Sequence, residues 1–576
     1  MTTNYLPNTV IVKVNETASQ NDIAGLQAAM GVIKVTEVQL VSGLQIWQLS
    51  LENAPQMISA YGNDPRVQYM ELDHIITLPD VQTTSRTKKE KLATITPQTT
   101  TPNDPDYPLL WGLNNTGQTG GKPDADIDAP AAWNIQTGNP MVVGVIDSGV
   151  DYNHPDLAGN IWTNLGEIAG DGIDNDSNGY IDDVRGWDFA FNDNDPMDVD
   201  GHGTHVAGTI AATGNNSLGV IGVAWNKAKI MPLRFLDDSG SGATSNAILA
   251  IDYATAKRVK VTNNSWGGLL PIPNKALEDA IKAAGEQGAL FVAAAGNESR
   301  NTDLVPAYPA SYDLPNIISV AATDHNDKLS YFSNYGKNSV DLAAPGSEIY
   351  STLPGGNYGF LSGTSMASPH VAAAVALVWA KDPTLTPAQV KNRLLKTTDP
   401  ITDPIARLIW KLDAGRLNVA NALAGSTSNN NSNLGQIQLR IAATLSPAAS
   451  ANLTETAEGE TDEDPLTGGP GADTLLLPFA QPSVSAKDSL TDFGSEKIDL
   501  VPQGGAAIKA PSVFRHAANS TVPTLEKGVI PVFTEANGAL AGKQALEINS
   551  EPLRVAKAGW MADIYRGIYD AKQLGI

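Results

Sequence analysis

The chain has 576 residues, a formal net charge of −24 and no cysteine. At about 150 residues per domain that is three or four domains, and the missing cysteine excludes disulfides, zinc ribbons, iron–sulfur clusters and a thiol nucleophile. The charge argues against nucleic acid or an anionic membrane as a partner, and no apolar run approaches the roughly 20 residues of a membrane span.

The opening MTTNYLPNTVIVKV has no basic start followed by an apolar stretch, so no Sec-type leader is expected. Within residues 1–80, TVIVKV alternates like a strand. SQNDIAGLQAAMG then places Ile23, Leu26 and Met30 at helical spacing and stops at Gly31. VIKVTEV and LQIWQLSL read as strands, APQMISAYG as a short helix, and VQYMELDHIITL as a closing strand. The order β-α-β-β-α-β predicts a ferredoxin-like α+β domain. Residues 81–105 are rich in Thr, Pro and Lys without an apolar period, which predicts an exposed linker open to proteolysis. Residues 106–424 alternate short apolar strands with helical stretches, the pattern of an α/β domain with a mostly parallel sheet flanked by helices. GSTSNNNSN (425–433) is a polar linker, and 434–576 reads as a smaller, β-rich accessory domain.

In the middle domain, MVVGVIDSG is an apolar strand ending at Asp147, KVTNNSWGG ends near Ser265 and Trp266, and ALFVAAAGN ends at Asn297. Ligands and reacting groups gather at the carboxyl ends of parallel strands. DGHGTHVAG puts His202 and His205 at a helix start, and GTSMASPH puts Ser365 at another, where outward N–H groups favour developing negative charge. A hydrolytic serine needs a base, a carboxylate to hold the base's tautomer, and donors for the oxyanion. The chain offers all of them.

VIDSGVDYNHPDL, DGHGTHVAG, NNSWGG, AAAGN and GTSMASPH together resemble the motif set of the subtilisin-like serine peptidases, over roughly residues 105–424 and in that family's order. The resemblance implies a subtilisin-like fold, with Asp147 orienting the base, His202 as general base and acid, Ser365 as nucleophile, and Asn297 as an oxyanion donor beside the Ser365 N–H. It makes His205 and His370 packing residues. DSGSGATS resembles the edge that pairs with an extended peptide, through Gly240, Ser241 and Gly242. Ser265, Trp266 and Gly267 match the opposite wall. Ala294, Gly296 and Ala307 would line the first specificity pocket, and with no acidic residue evident there an apolar P1 side chain is expected. The 1–80 domain resembles the family's prodomain, which implies a zymogen that cuts itself in the 81–105 linker and whose prodomain acts as folding aid and intramolecular inhibitor.

Residues 171–200 hold ten aspartates and one basic residue, Arg185. Such density repels itself without a counter-cation. DNDSNGYIDD sets Asp174, Asp176 and Asn178 at alternating positions, then the Tyr180 carbonyl and Asp182 or Asp183, an oxygen-only Ca2+ pattern that departs from an EF-hand at Arg185. Asp193, Asp195, Asp198 and Asp200 resemble a second calcium loop of thermostable relatives. A third site is implied by the family at Asp156 and Asn216, with Leu218 and Val220 as carbonyl ligands. LTGGPGADTLLLP in the tail resembles one calcium-binding β-roll repeat of serralysin-type exported proteins, with Gly469, Gly471 and Asp473 as ligands. The expected protein is therefore a monomeric, calcium-stabilised serine endopeptidase acting on proteins or peptides. It would work outside the cell after leaderless C-terminal export, or alternatively in the cytoplasm. The rival functions are an inactive calcium-dependent binding protein and a narrow intracellular processing protease.

Overall fold

A computed structural model describes residues 4–78, 101–268, 273–401 and 415–425, with the backbone alone of residues 82–83, 466–467, 490–491, 529–532 and 544–547. The chain forms two compact units, residues 1–431 and 432–576. In the second, Leu466–Thr467 pairs in parallel with Leu490–Thr491, and Val529–Val532 pairs antiparallel with Gln544–Glu547. Gly469, Gly471 and Asp473 lie outside the described residues, as does most of the 81–105 segment.

The first unit opens with β1 (Tyr5–Val14), α1 (Gln20–Met30), β2 (Val32–Glu37), β3 (Leu44–Leu49), α2 (Ala54–Tyr61) and β4 (Val67–Thr77). Helix α1 starts at a reciprocal capping box between Ser19 and Asp22 and ends at Gly31 in the left-handed conformation, φ 71°. The strands form an antiparallel sheet in the order β2-β3-β1-β4, the predicted ferredoxin-like arrangement. Alternation along β1 divides its side chains between two cores. Val10 and Val12 pack with Leu26, Met30 and Trp47 under the domain's own helices. Ile11 faces the other way and shares a core with residues of the next domain, among them Ala247, Ile251, Leu277 and Ala280.

After the short strand β5 (Gln82–Thr83) come α3 (Ala129–Ile135), β6 (Met141–Asp147), β7 (Trp187–Asp188), α4 (His202–Ala211), β8 (Ala228–Arg234), β9 (Ser241–Ala243), α5 (Thr244–Ala256), β10 (Val261–Asn264), α6 (Lys275–Glu286), β11 (Leu290–Ala294), β12 (Ile317–Thr323) and β13 (Leu342–Pro345). The hairpin β14 (Ile349–Leu353) and β15 (Asn357–Ser362) leads into α7 (Thr364–Lys381), followed by α8 (Pro387–Lys396) and α9 (Val419–Ala424). Seven strands form one parallel sheet in the order β13-β12-β11-β10-β6-β8-β7. Helix α7 is buried all round from Thr364 to Ala380, as its run of alanine and valine demands. It lies against the sheet with Val371, Val375 and Val378 in the main core. Its N-terminus thereby sits at the carboxyl edge of the sheet.

Candidate active site

Strands β6 and β10 end at Asp147 and Asn264, and β11 runs out through Ala294 to Asn297. Helix α4 starts at His202, and Ser365 is the second residue of α7. Asp147 Oδ1 accepts hydrogen bonds from His202 Nδ1 at 2.8 Å and from the Ser148 N–H at 2.7 Å. The histidine is 3 % exposed and the aspartate fully buried. With Nδ1 donating to a carboxylate, Nε2 carries the lone pair, and Nε2 is buried without a partner. Burial alone would lower the His202 pKa, but the Asp147 carboxylate outweighs it and holds the imidazole above its ordinary value.

The nucleophile candidate is fixed by an unusual helix start. Pro369 lies inside α7 and has no N–H, so the Ser365 carbonyl lacks its i+4 helical donor. The Ser265 hydroxyl fills that vacancy at 2.8 Å. In return the Ser365 hydroxyl donates to the Ser265 carbonyl at 3.1 Å, so it makes no hydrogen bond to His202 Nε2 in this structure. Asn263 anchors the pair: its Nδ2 donates to Ser265 Oγ and its Oδ1 accepts from Ser368 Oγ. Asn297 Oδ1 accepts from both the N–H and the hydroxyl of Thr364, each at 2.9 Å. That fixes the amide plane. A Cβ on Gly363 would lie 3.2 Å from Asn297 Nδ2 and 3.6 Å from Ser365 N, so these two nitrogens border one space that the glycine leaves open.

A family profile for the subtilase family matches residues 138–436. The chain belongs to the subtilase family. A second profile, for the fervidolysin N-terminal prodomain, matches residues 1–73, so this subtilase is a subtilisin-like serine endopeptidase with an N-terminal prodomain. It is 43 % identical to thermitase of Thermoactinomyces vulgaris over 278 residues, covering 48 % of this chain and 85 % of that protein. It is 33 % identical to a thermophilic serine proteinase of Bacillus sp. strain AK1 over 421 residues, 73 % of this chain and 88 % of that one. The crystal structure of fervidolysin from Fervidobacterium pennivorans, described as a keratinolytic enzyme related to subtilisin, superposes with a TM-score of 0.57 at 25 % identity. The match covers 77 % of this chain and 64 % of fervidolysin.

In this subtilase the edge formed by Gly240, Ser241 and Gly242 is already paired. Prodomain strand β4 lies antiparallel to β9, with Ile75 opposite Ala243, Ile76 opposite Gly242 and Thr77 opposite Ser241. The Leu78 N–H then donates to the Gly240 carbonyl at 2.8 Å. Beyond it, Gln82–Thr83 pairs with Leu361–Ser362, three residues before Ser365. Two carboxylates clamp the prodomain: Glu71 accepts the N–H groups of Lys275 and Ala276 at the start of α6, and Asp73 accepts from Ser245 at the start of α5. Asp252 answers from the other side by accepting the N–H groups of Gln39 and Leu40. Sequence reading missed all three, because a cap across domains leaves no local pattern.

On the opposite wall the Trp266 side chain is turned into the core. With the prodomain in place its side chain is 1 % exposed and packs edge-on against Phe235 and Phe291. Gly267, at φ +138°, lets the chain approach Tyr308, and Gly268 and Tyr308 exchange two backbone hydrogen bonds. That pairing brings the wall beside Ala307, which is buried along with Ala294 and Gly296. The expectation of no acidic group near this pocket is corrected. A Cβ on Gly296 would lie 2.7 Å from Glu298 Oε2, a carboxylate that accepts from Asn334 Nδ2. His205 and His370 are packing residues. The ring of His205 bonds the backbone carbonyls of Ile349 and Gly359, that of His370 the carbonyl of Met366, and burial pushes the two down to about 3 and about 4.

The acidic segment is arranged differently from an EF-hand. Asp174 accepts the N–H groups of Asn178 and Gly179, and Asp182 those of Gly170 and Gly172. Both carboxylates are thus spent on turns, and the Tyr180 ring packs against Trp187 and Tyr253. Among the described residues one acidic group is close enough to share an ion: Glu167, Asp176 and Asp183, within 4.8 Å of one another. Glu167 was missed because it precedes the motif. Lys257 supplies a built-in cation there, 2.6 Å from Asp176 and 3.2 Å from Asp183.

Asp193, Asp195, Asp198 and Asp200 do not converge on one centre. Asp193 accepts the Asp195 N–H, Asp195 accepts from Tyr152, Asp200 accepts the His202 N–H, and Asp198 turns inward to α4. Asp156 does meet Asn216, whose Nδ2 donates to it at 2.6 Å, and the Val220 N–H. The Leu218 N–H closes onto Asn216 Oδ1. Buried Asp104 joins the same loop by accepting the N–H groups of Asn215 and Asn216, a residue outside every motif quoted from the sequence. Burial raises both the Asp104 and Asp156 carboxyls.

Proposed function

We propose that this subtilase is made as a zymogen and hydrolyses peptide bonds through an acyl-enzyme on Ser365. The observation that carries the reading is the buried Asp147–His202 hydrogen bond beside a serine at the start of α7. Rotation about the Ser365 Cα–Cβ bond releases its hydroxyl from the Ser265 carbonyl toward His202 Nε2. Oγ attacks the scissile carbonyl as its proton passes to Nε2. The oxyanion is received by Asn297 Nδ2 and the Ser365 N–H. His202 then gives the proton to the leaving amine, and water repeats the sequence to free the acid. A fluorophosphonate probe should label the processed enzyme and fail to label Ser365→Ala. Equal labelling of both would end this reading.

The pairing of β4 with β9 supports a second part of the proposal. The prodomain closes the peptide-binding edge as a pseudo-substrate, and self-cleavage in the linker precedes its release. The small residues Ala294, Gly296 and Ala307 favour an apolar P1 side chain, with the Glu298 carboxylate occupied by Asn334. We further propose Ca2+ at two places. Glu167, Asp176 and Asp183 form an oxygen-only donor set. Asp104 and Asp156 bring two buried charges to the 215–220 loop, where burial has raised both carboxyls and a cation would reverse that cost. Calcium would pin these loops and take no part in the chemistry.

A further inference from the structure

We propose that Asp198 is a positioning residue for the Asp147–His202 pair, tying the end of β6 to the start of α4 through one buried anion. The inference rests on the catalytic reading above. Asp198 is 3 % exposed. Its Oδ1 accepts from Ser148 Oγ and the Gly201 N–H, each at 2.9 Å, and its Oδ2 accepts from the Thr204 N–H at 2.9 Å and the Thr204 hydroxyl at 2.5 Å. A carboxylate offers about four lone-pair directions, and four protein donors take them. The protein thus fills the directions that a cation in this acidic run would need.

Every one of those donors lies within two residues of Asp147 or His202. Ser148 follows Asp147, and its N–H donates to the same Asp147 oxygen that holds His202. Ser148 Oγ in turn accepts the N–H of Gly203, the residue after His202. Gly201 and Thr204 bracket the histidine on the other side. The path Asp147, Ser148, Asp198, α4, His202 therefore closes on itself as a hydrogen-bonded circuit. The 196–198 segment is pressed into place as well. The Val150 N–H donates to the Pro196 carbonyl, and a Cβ on Gly149 would come within 2.6 Å of that oxygen. An anion at this point fixes the separation of β6 and α4, which sets the carboxylate–imidazole geometry. It also adds negative charge near a ring that becomes cationic during acyl transfer.

The test uses the full-length chain with Asp198→Asn, Ser148→Ala and the double substitution. Active sites are counted by fluorophosphonate titration, and turnover is read on a peptide p-nitroanilide. An asparagine presents Nδ2 to donors that need an acceptor, so Asp198→Asn should lower kcat about 10- to 100-fold with KM within about twofold. Ser148→Ala should lower kcat in the same sense, and the double variant should be no worse than Asp198→Asn, as expected for one connected unit. The acid limb of the kcat/KM profile should move to lower pH in Asp198→Asn. The charged groups acting on His202 are Asp147, Asp200 and Asp198, the last itself raised by burial to about 6 and so ionised only above that pH, while His205 stays neutral across that range. A kcat and acid limb within twofold of wild type in Asp198→Asn, or fully multiplicative losses in the double variant, overturns the proposal. If Asp198→Asn does not fold, an unchanged kcat in Ser148→Ala overturns it and a reduced one supports it. Turnover that survives Ser365→Ala would instead defeat the underlying catalytic reading, and it is measured in the same series.

Discussion

The Asp73 carboxylate of the prodomain accepts both the backbone N–H and the hydroxyl of Ser245, at 2.9 and 2.6 Å. It caps the first turn of α5, the helix that follows β9. Glu71, two residues earlier and on the same face of β4, does the same for α6. One strand thus delivers two anions to two helix N-termini, where the macrodipoles favour negative charge. The same strand continues into the pairing with β9. Helix capping and pairing with β9 are parts of a single element.

That geometry makes docking pH-dependent. Burial pushes Asp73 up to about 6, and Glu71 is raised as well. A carboxyl raised on docking contributes fully below its free value near 4 and loses that contribution as pH climbs through about 6. Docking should therefore weaken between about pH 4 and 7, by at most about 3 kcal/mol from Asp73. Calorimetry on the Ser365→Ala chain, which keeps the prodomain attached, should show the prodomain transition falling between pH 4.5 and 7.5. Asp73→Asn should remove most of that fall. A transition that is flat in pH would contradict the argument.

Self-processing gives a simpler expectation. If Ser365 cuts its own chain, Ser365→Ala should accumulate as an uncut precursor of 60.5 kDa. Mass spectrometry of the wild-type N-terminus should find it within residues 81–105. A trimmed N-terminus in purified Ser365→Ala, made in a protease-deficient host, would assign the cut to another enzyme.

The oxyanion assignment is tested by Asn297→Ala. The amide is aimed by Thr364, so its loss removes a donor without unpairing a charge. In a subtilisin the loss of such a donor costs about 10²–10³ in kcat, and a fall of that size with little change in KM is expected here. A KM effect alone would make Asn297 a binding residue.

Much of this site was legible in the chain, for identifiable reasons. Asp147 closes a strand, Asn297 follows one, His202 opens a helix and Ser365 is the second residue of another, and short apolar runs mark those boundaries. The prodomain's order was readable because Ile23, Leu26 and Met30 keep a helical period next to alternating strands. What stayed hidden depends on pairing across distance. The enclosure of the Trp266 ring by Phe235 and Phe291 has no mark in the local sequence. Asp198 sat in an acidic run that suggested a cation, while its actual donors are the N–H and O–H groups around Ser148 and Thr204. Asp104 and Glu167 lie outside the motifs whose loops they join. Charge density in sequence reports how much negative charge is present and is silent on which donors neutralise it.

The Ser265–Ser365 reciprocity predicts a specific weakness. Ser265→Ala would leave the Ser365 carbonyl buried without a donor, because Pro369 cannot supply the helical one. An orphaned buried acceptor costs about 1–3 kcal/mol. Urea unfolding of Ser265→Ala in the Ser365→Ala background should show a loss in that range. Adding Pro369→Ala, which restores an N–H at position 369, should recover part of it. No recovery would mean that the hydroxyl matters for packing and not for the carbonyl.

The calcium proposal at the acidic loop can be separated from simple ion pairing by means of Lys257. Its ammonium already neutralises part of the Glu167–Asp176–Asp183 group. If the loop also takes Ca2+, EDTA should lower the thermal midpoint of the wild type, and removing Lys257 should deepen that dependence. Lys257→Met strips the resident charge and leaves three carboxylates within 4.8 Å of one another, so it should lose more stability in EDTA than in millimolar calcium. Glu167→Gln and Asp176→Asn together should blunt the response to calcium, since both remove hard oxygen charge. If the Asp104–Asp156 loop also takes Ca2+, its share of the response should be reduced independently by Asp104→Asn, because the Asn215 and Asn216 N–H groups that Asp104 accepts are separate from the Asp176 and Asp183 partners of Lys257. Equal midpoints with and without EDTA, in wild type and Lys257→Met alike, would leave the ammonium as the cation this loop uses.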